Sequence, residues 1–190
     1  MKRNIIIILI LALAVSAFAG CSAAKDTQAA DTAVTTVQSD GEYDYGAKTA
    51  LEKDELTIEQ MLSYAIQDEY LARQEYELIM EEYGEQAPFS NIIKAEETHI
   101  ELLKDIYNEY GYDMPKDTAI EYAVVPSSLE VAFDVGVQAE IDNIAMYEKF
   151  LESELHDDRR DVLIELRDAS ENHLAAFERG VRGGGQGRNG

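Results

Sequence analysis

Cysteine is almost missing from this 190-residue chain, where Cys21 stands alone. One thiol excludes an internal disulfide, a cysteine-ligated zinc site and an iron–sulfur cluster within a single chain. Basic residues are scarce as well: 16 Lys and Arg face 38 Asp and Glu, for a formal net charge of −22. A surface of that sign repels phosphate backbones, which excludes nucleic acid as an expected partner, and it concentrates cations. Tryptophan is absent, and proline and histidine occur three times each. The main apolar run, residues 5–20, falls short of the roughly 20 apolar residues of a membrane span. The length allows one domain of ordinary size with extensions, and 46% hydrophobic residues supply a core despite the charge.

That apolar run follows Lys2 and Arg3. A basic start followed by a short apolar stretch is the pattern of a secretory signal over residues 1–20. It ends Phe18-Ala19-Gly20-Cys21, which resembles the lipobox of bacterial lipoproteins, where the Cys becomes the lipidated first residue after cleavage. The resemblance implies an extracytoplasmic protein of the bacterial cell envelope, anchored to the membrane through Cys21. An ordinary signal peptide with an incidental Cys21 is the alternative. Residues 21–52, rich in Ala, Thr, Asp and Ser without a sustained period, read as a flexible lipid-tethered linker, and the Gly-rich residues 183–190 as a disordered tail.

Residues 53–182 carry a helical pattern throughout. The first segment opens at Thr57, with Gln60 at capping-box spacing, and stops at Gly84. The second starts after Pro88 with Ser90 as its cap and stops at Gly111. The third starts at Ser127 or Ser128, with Ser127 and Glu130 at capping-box spacing, and runs to about Leu155. The fourth begins near Asp157 or Asp158 and ends at Gly180. Short connections make each consecutive pair antiparallel, whereas residues 112–126 are long enough to cross a bundle from end to end. Two hairpins joined by one long crossover is the ferritin-like arrangement of an all-α four-helix bundle. The apolar, β-branched stretch 119–125 is expected to lie extended along it.

The buried stripe of each segment, followed at 3–4 spacing, is apolar at its ends and polar in its middle. Glu69 interrupts Leu62, Ala65, Ala72 and Tyr76; Glu96 and His99 interrupt Ile92 and Leu103; Glu140 and Asn143 interrupt Phe133, Gly136 and Tyr147; Ser170 and His173 interrupt Leu166 and Phe177. A buried carboxylate without a partner is costly, so it neutralises, pairs or binds a cation. Two of the three histidines fall on these seams; two given positions would both do so by chance roughly once in twelve if a seam takes two of every seven positions. Glu96 and His99 also have the Glu-x-x-His spacing that puts two ligands on one helical face. The alternative is a buried hydrogen-bonded cluster without metal. By contrast, His156 reads as a surface residue at the last turn, and Tyr76, Tyr110 and Tyr147 as core residues. Register raises one difficulty. Counted from the turn, Glu69 lies 15 residues away but Glu96 only eight, an offset of about 10 Å at 1.5 Å per residue. Either the loop climbs along the axis, or Glu69 is displaced and Glu75 or Tyr76 faces Glu96 and His99.

The segments resemble the ferritin-like superfamily, which binds carboxylate-bridged iron or manganese between its helices. They are most similar to a bacterial branch known as domain of unknown function 2202. The matching strings are Glu69-Tyr70-Leu71-Ala72-Arg73 with Tyr76, and Phe89-Ser90-Asn91-Ile92 with Glu96-x-x-His99. Gly136-Val137 with Glu140, and Ser170-Glu171-Asn172-His173-Leu174 with Phe177, complete the set. The resemblance implies Glu69, Glu96, His99, Glu140 and His173 as metal ligands for iron, manganese or zinc. Tyr76, Asn143, Ser170 and Glu171 stand as neighbouring or alternative ligands. The superfamily pattern has Glu where this chain has Ser170, and Asp is expected in place of Asn143. Three arrangements stay open: one ion, two held unequally, or recruitment of Glu171. By analogy of fold the resemblance implies a redox role on oxygen or peroxide, with electrons from an unidentified donor, since no cysteine-ligated partner is encoded. A metal-free or zinc-stapled envelope adapter is the competing function.

Overall fold

The computed structural model describes residues 44–184. The expected signal peptide, Cys21, the linker up to residue 43 and the tail from residue 185 lie outside the described residues. Among the described residues the chain is all-helical: α1 (Gly46–Glu52), α2 (Ile58–Tyr83), α3 (Phe89–Tyr110), α4 (Leu129–Leu151) and α5 (Asp157–Gly184), with a 3-10 turn at Ala119–Glu121. None of these helices is long and apolar enough to cross a membrane.

Local chemistry sets most boundaries. Thr57 and Gln60 close a reciprocal capping box on α2, and Gly84 ends it. Gly111, in the left-handed region, ends α3. Three details differ from the sequence expectation. Pro88, not Ser90, stands at the N-cap of α3, which has no side-chain cap. Ser128, one of the two expected starts, caps α4 through the Val131 amide. That helix stops at Leu151, before Leu155, where the Arg160 guanidinium takes the carbonyls of Leu151 and Ser153. Gly180 does not end α5, which continues to Gly184.

The larger difference is α1, which lies in the stretch that composition assigns to the linker. Seven residues cannot sustain a helix alone, so the partners matter. The Ala47 amide donates to Asp68 Oδ1 at 2.7 Å and the Gly46 amide to Gln67 Oε1 at 3.3 Å. At the other end the Lys149 ammonium donates to the carbonyls of Ala50 at 2.9 Å, Leu51 at 3.2 Å and Lys53. Ala47 and Ala50 are buried against α2 and α4, where a larger side chain would hold the helix away.

The four long helices close a ring, with contacts between α2 and α3, α3 and α5, α5 and α4, and α4 and α2. The segment between α3 and α4 runs along α2. Tyr70 meets Met114, Arg73 meets Asp117, Glu75 meets the Val124 amide and Tyr83 meets the Pro126 carbonyl. It therefore returns to the end where α3 began, and α4 runs parallel to α3. The stretch expected to be extended instead opens with the 3-10 turn at Ala119–Glu121.

An aromatic layer fixes the register. Tyr76 packs on Phe89 with ring centroids 5.6 Å apart, and Phe177 packs on both at 5.5 and 5.2 Å. Phe177 lies over Gly136 and Phe133 lies over Gly180, each in a space that a methyl group would occupy. Because α3 starts level with Tyr76, seven residues before the end of α2, the loop climbs back by about 10 Å. That resolves the register difficulty: Glu69 and Glu96 each stand seven residues beyond the Tyr76–Phe89 contact, at one level. Seven residues further on, Leu62, Leu103, Tyr147 and Leu166 are buried in a second apolar layer.

Candidate metal centre

Between the two apolar layers lie five ionisable side chains, one or two from each long helix. Glu69 is 0% exposed, Glu96 and Glu140 2%, His99 6% and His173 8%. They form two trios that share one member. Glu69, Glu96 and His99 present ligand atoms within 4.8 Å of one another, and so do Glu96, Glu140 and His173. The two oxygens of Glu96 divide between the trios. Oε2 lies 2.9 Å from His99 Nδ1, and Oε1 lies 3.3 Å from His173 Nδ1. Glu69 Oε2 completes the first trio at 3.0 Å from His99 Nδ1, and Glu140 Oε1 the second at 3.6 Å from His173 Nδ1. The imidazole rings stack, with centroids 5.6 Å apart.

Two tyrosines hold the outer carboxylates. The Tyr147 hydroxyl of α4 donates to Glu69 Oε1 of α2 at 2.6 Å, and the Tyr76 hydroxyl of α2 donates to Glu140 Oε1 of α4 at 2.9 Å. Each helix thus carries a Glu and, seven residues later, the Tyr that serves the other helix's Glu. In both α3 and α5 a polar residue stands three before the histidine. The symmetry breaks at one point, where α3 has Glu96 and α5 has Ser170. Ser170 is buried, and its hydroxyl donates to the Leu166 carbonyl at 3.1 Å.

The electrostatics follow from burial and proximity. Burial, helped by the Glu96 carboxylate, pushes Glu69 up to about 7. Burial also raises Glu140. For Glu96 burial acts upward too, but the approach of His173 and His99 outweighs it and holds this carboxyl below its ordinary value. Burial opposes charge on the imidazoles, yet Glu69 and Glu96 push His99 up to about 10, and Glu140 and Glu96 push His173 up to about 9. Both tyrosines are raised well above 10 by burial and by the carboxylates, so they stay protonated donors.

Three buried polar atoms bear on whether a metal fits. Glu140 Oε2 and His173 Nδ1, both in the trio around His173, and Asn143 Oδ1, one turn from Glu140, have no aligned hydrogen-bond partner. Distance alone brings His173 Nδ1 near two carboxylates, but neither approach has hydrogen-bond alignment. Orphaned donors and acceptors in a dry interior cost about 1–3 kcal/mol each. Carboxylate and imidazole together suit divalent iron, manganese and zinc. The residues fit such an ion.

Of the sequence candidates, Glu69, Glu96, His99, Glu140 and His173 converge, and Tyr76 touches the cluster through Glu140. Asn143 is buried one turn from Glu140, level with Ser170. Glu171 is exposed, one position off the buried face of α5, and is not part of the cluster. Tyr147 has a polar role that its reading as a core residue missed; the recurring Glu-x6-Tyr spacing was the available signal.

No family model and no curated protein matches the chain. It is similar to the crystal structure of a hypothetical protein from Methanococcus jannaschii DSM 2661. The TM-score is 0.61 at 25% identity, over 70% of this chain and 85% of that one.

Proposed function

We propose that this chain is a ferritin-like four-helix metalloprotein that binds two divalent transition-metal ions, iron or manganese, across the shared carboxylate of Glu96. The observation that carries the reading is the division of Glu96, one oxygen to each of two buried Glu/His trios. On this reading Glu69 and His99 hold one ion and Glu140 and His173 the other, with Glu96 common to both. The pairwise ring of helices and the long crossover along α2 support the ferritin-like arrangement. The lipobox-like string at Cys21 supports a lipid anchor in the bacterial cell envelope.

Bound iron or manganese would supply one-electron chemistry towards oxygen or peroxide. The protein's part follows from its own side chains. Tyr147 donates to the outer oxygen of Glu69 and leaves the other towards His99, and Tyr76 donates to the Glu140 oxygen that also approaches His173; both bonds stabilise the carboxylate's negative charge. The aromatic layer of Tyr76, Phe89 and Phe177 on one side, and Leu62, Leu103 and Leu166 on the other, exclude water and strengthen every charge interaction between them. With Ser170 in place of a fourth carboxylate, the five residues carry three negative charges for two divalent ions. The pair is therefore held unequally, or completes its charge with an external anion.

Elemental analysis of the purified full-length chain tests this. The expected result is two iron or manganese ions per chain, lost together in Glu96→Ala. A chain that takes up neither metal after loading defeats the proposal, and zinc alone moves it to a structural staple. Metal without reactivity towards peroxide or oxygen leaves binding and removes the redox role.

A further inference from the structure

A cavity of about 600 Å³ lies on the flank of the bundle, between α1, α2, α4 and the crossover. One wall is a stripe of α2 formed by Asp68, Leu71 and Glu75. The facing wall is a stripe of α4, with Val135, Ala139 and Asp142 at matching three- and four-residue steps. These stripes stand one position around their helices from the metal-centre residues Glu69, Tyr76 and Glu140, so the cavity and the centre share the α2–α4 seam without sharing a side chain. The roof is α1 with Tyr45, which stacks on Tyr122 of the crossover at 4.2 Å between centroids.

Three properties of this cavity point to one kind of occupant. Its volume lies within the about 300–1,000 Å³ of small-molecule sites. Its walls combine Leu71, Val124, Val135 and an aromatic pair, which would bury an apolar body. Its charge is one-sided, with Glu52, Asp68, Glu75 and Asp142 against Lys48 alone. Anions are rejected by that balance. A bare metal ion gains nothing from the apolar walls. Glu75 is half-buried, with the Val124 amide as its donor at 3.3 Å. The roof is pinned at both ends by Asp68, Gln67 and Lys149, so the cavity is formed before anything enters. A preformed site saves the ordering cost of binding.

We propose that this cavity binds a small organic cation, a primary amine on an apolar aromatic or alkyl body, with the ammonium at Glu75 and the body against the Tyr45–Tyr122 pair. The site is independent of the metal reading, and its occupancy does not require metal.

Calorimetry and ligand-observed NMR on the full-length chain, metal-loaded and metal-depleted, test it with phenethylamine and hexylamine as probes. Their neutral counterpart is 2-phenylethanol, and phenylacetate is the anionic one. The amines are expected to bind at least tenfold more tightly than the alcohol, and phenylacetate not to bind. Glu75→Gln should weaken the amines severalfold, and Asp142→Asn, at the other end of the cavity, should weaken them less. Val135→Trp, which fills the cavity from its exposed α4 side, should abolish binding while leaving metal content unchanged. Absence of amine binding at millimolar concentration overturns the proposal. So does equal affinity for amine and alcohol, or amine binding that survives Val135→Trp. Displacement of the amine by millimolar magnesium or manganese would also overturn it, by identifying the cavity as an inorganic cation site.

Discussion

Tyr147 of α4 donates a 2.6 Å hydrogen bond to Glu69 of α2, and it is the protein donor that faces the outer oxygen of that carboxylate. The bond joins the two hairpins through the middle of the molecule. Tyr147→Phe keeps the ring and its packing on Phe150, with centroids 6.4 Å apart, and removes only the donor. A buried carboxylate left short of one partner costs about 1–3 kcal/mol. Loss of a group that orients a metal ligand typically costs 10–100-fold in affinity. The variant should therefore lose metal affinity by about that factor while remaining folded. Metal titration followed by circular dichroism checks both halves. Unchanged affinity would reduce Tyr147 to a core residue.

The shared position of Glu96 makes a different pattern of loss for each carboxylate. Glu69→Gln should remove the ion beside His99 and leave one, and Glu140→Gln should remove the ion beside His173 and leave one. Glu96→Gln should remove both, because neither trio keeps two carboxylates. Stoichiometry by elemental analysis, with calorimetry for the surviving site, separates these outcomes. One ion lost in all three variants would mean a single site served by every carboxylate.

Sequence pattern carried the cluster further than it carried the boundaries. A Glu or His at the 3–4 step of an otherwise apolar stripe is expensive when buried, so Glu69, Glu96, His99, Glu140 and His173 stood out before any coordinates. Helix α1 did not, because seven residues are too few to hold a period and their helicity comes from Asp68 and Lys149, far away in sequence. Gly180 reads as a helix stop, but here it is the notch that admits Phe133, and composition cannot separate those two uses of a missing side chain. The climb of the loop from Gly84 to Pro88 was also hidden, since the length of a loop does not give its direction. The exchange of tyrosine bonds between hairpins was written in the two Glu-x6-Tyr spacings, but spacing alone does not say which carboxylate a hydroxyl reaches.

On the proposed metal-binding reading, protons and metal compete for the same cluster, and the sign of that competition is fixed. His99 and His173 are raised to about 10 and about 9 from 6.5, so the folded metal-free chain holds protons that the unfolded chain has released. Stability from these groups is full below about pH 6.5 and is lost as pH rises through 9 and 10. Glu69, raised from 4.5 to about 7, acts in the same direction over that lower window. Glu96 acts oppositely, its contribution lost as pH falls through its lowered value. The melting temperature of the metal-depleted chain should therefore fall between pH 6.5 and 10, and that of the loaded chain should not. Loading at neutral pH should release about two protons. Calorimetry in two buffers of different ionisation enthalpy measures that release. Metal uptake without it would place the ions away from the imidazoles.

Gly136 tests whether the aromatic layer sets the height of the centre. A methyl group there would meet three atoms of the Phe177 ring at 2.7 to 2.8 Å, closer than carbon atoms pack. The ring has no free direction, because it already rests on Tyr76 and Phe89. Gly136→Ala must shift α4 or α5, and overpacking of this kind costs about 1–3 kcal/mol. Phe177 lies one turn from His173, so the same shift moves a ligand, and metal affinity should fall together with the melting temperature. Trimming the ring gives the control. Phe177→Leu alone should destabilise by leaving a void, yet combined with Gly136→Ala it should recover part of the loss, since each change relieves the other. Thermal melts of the two single variants and the double variant measure the coupling. Strictly additive losses would show that the glycine and the ring do not set each other's position, and that the level of His173 is determined elsewhere.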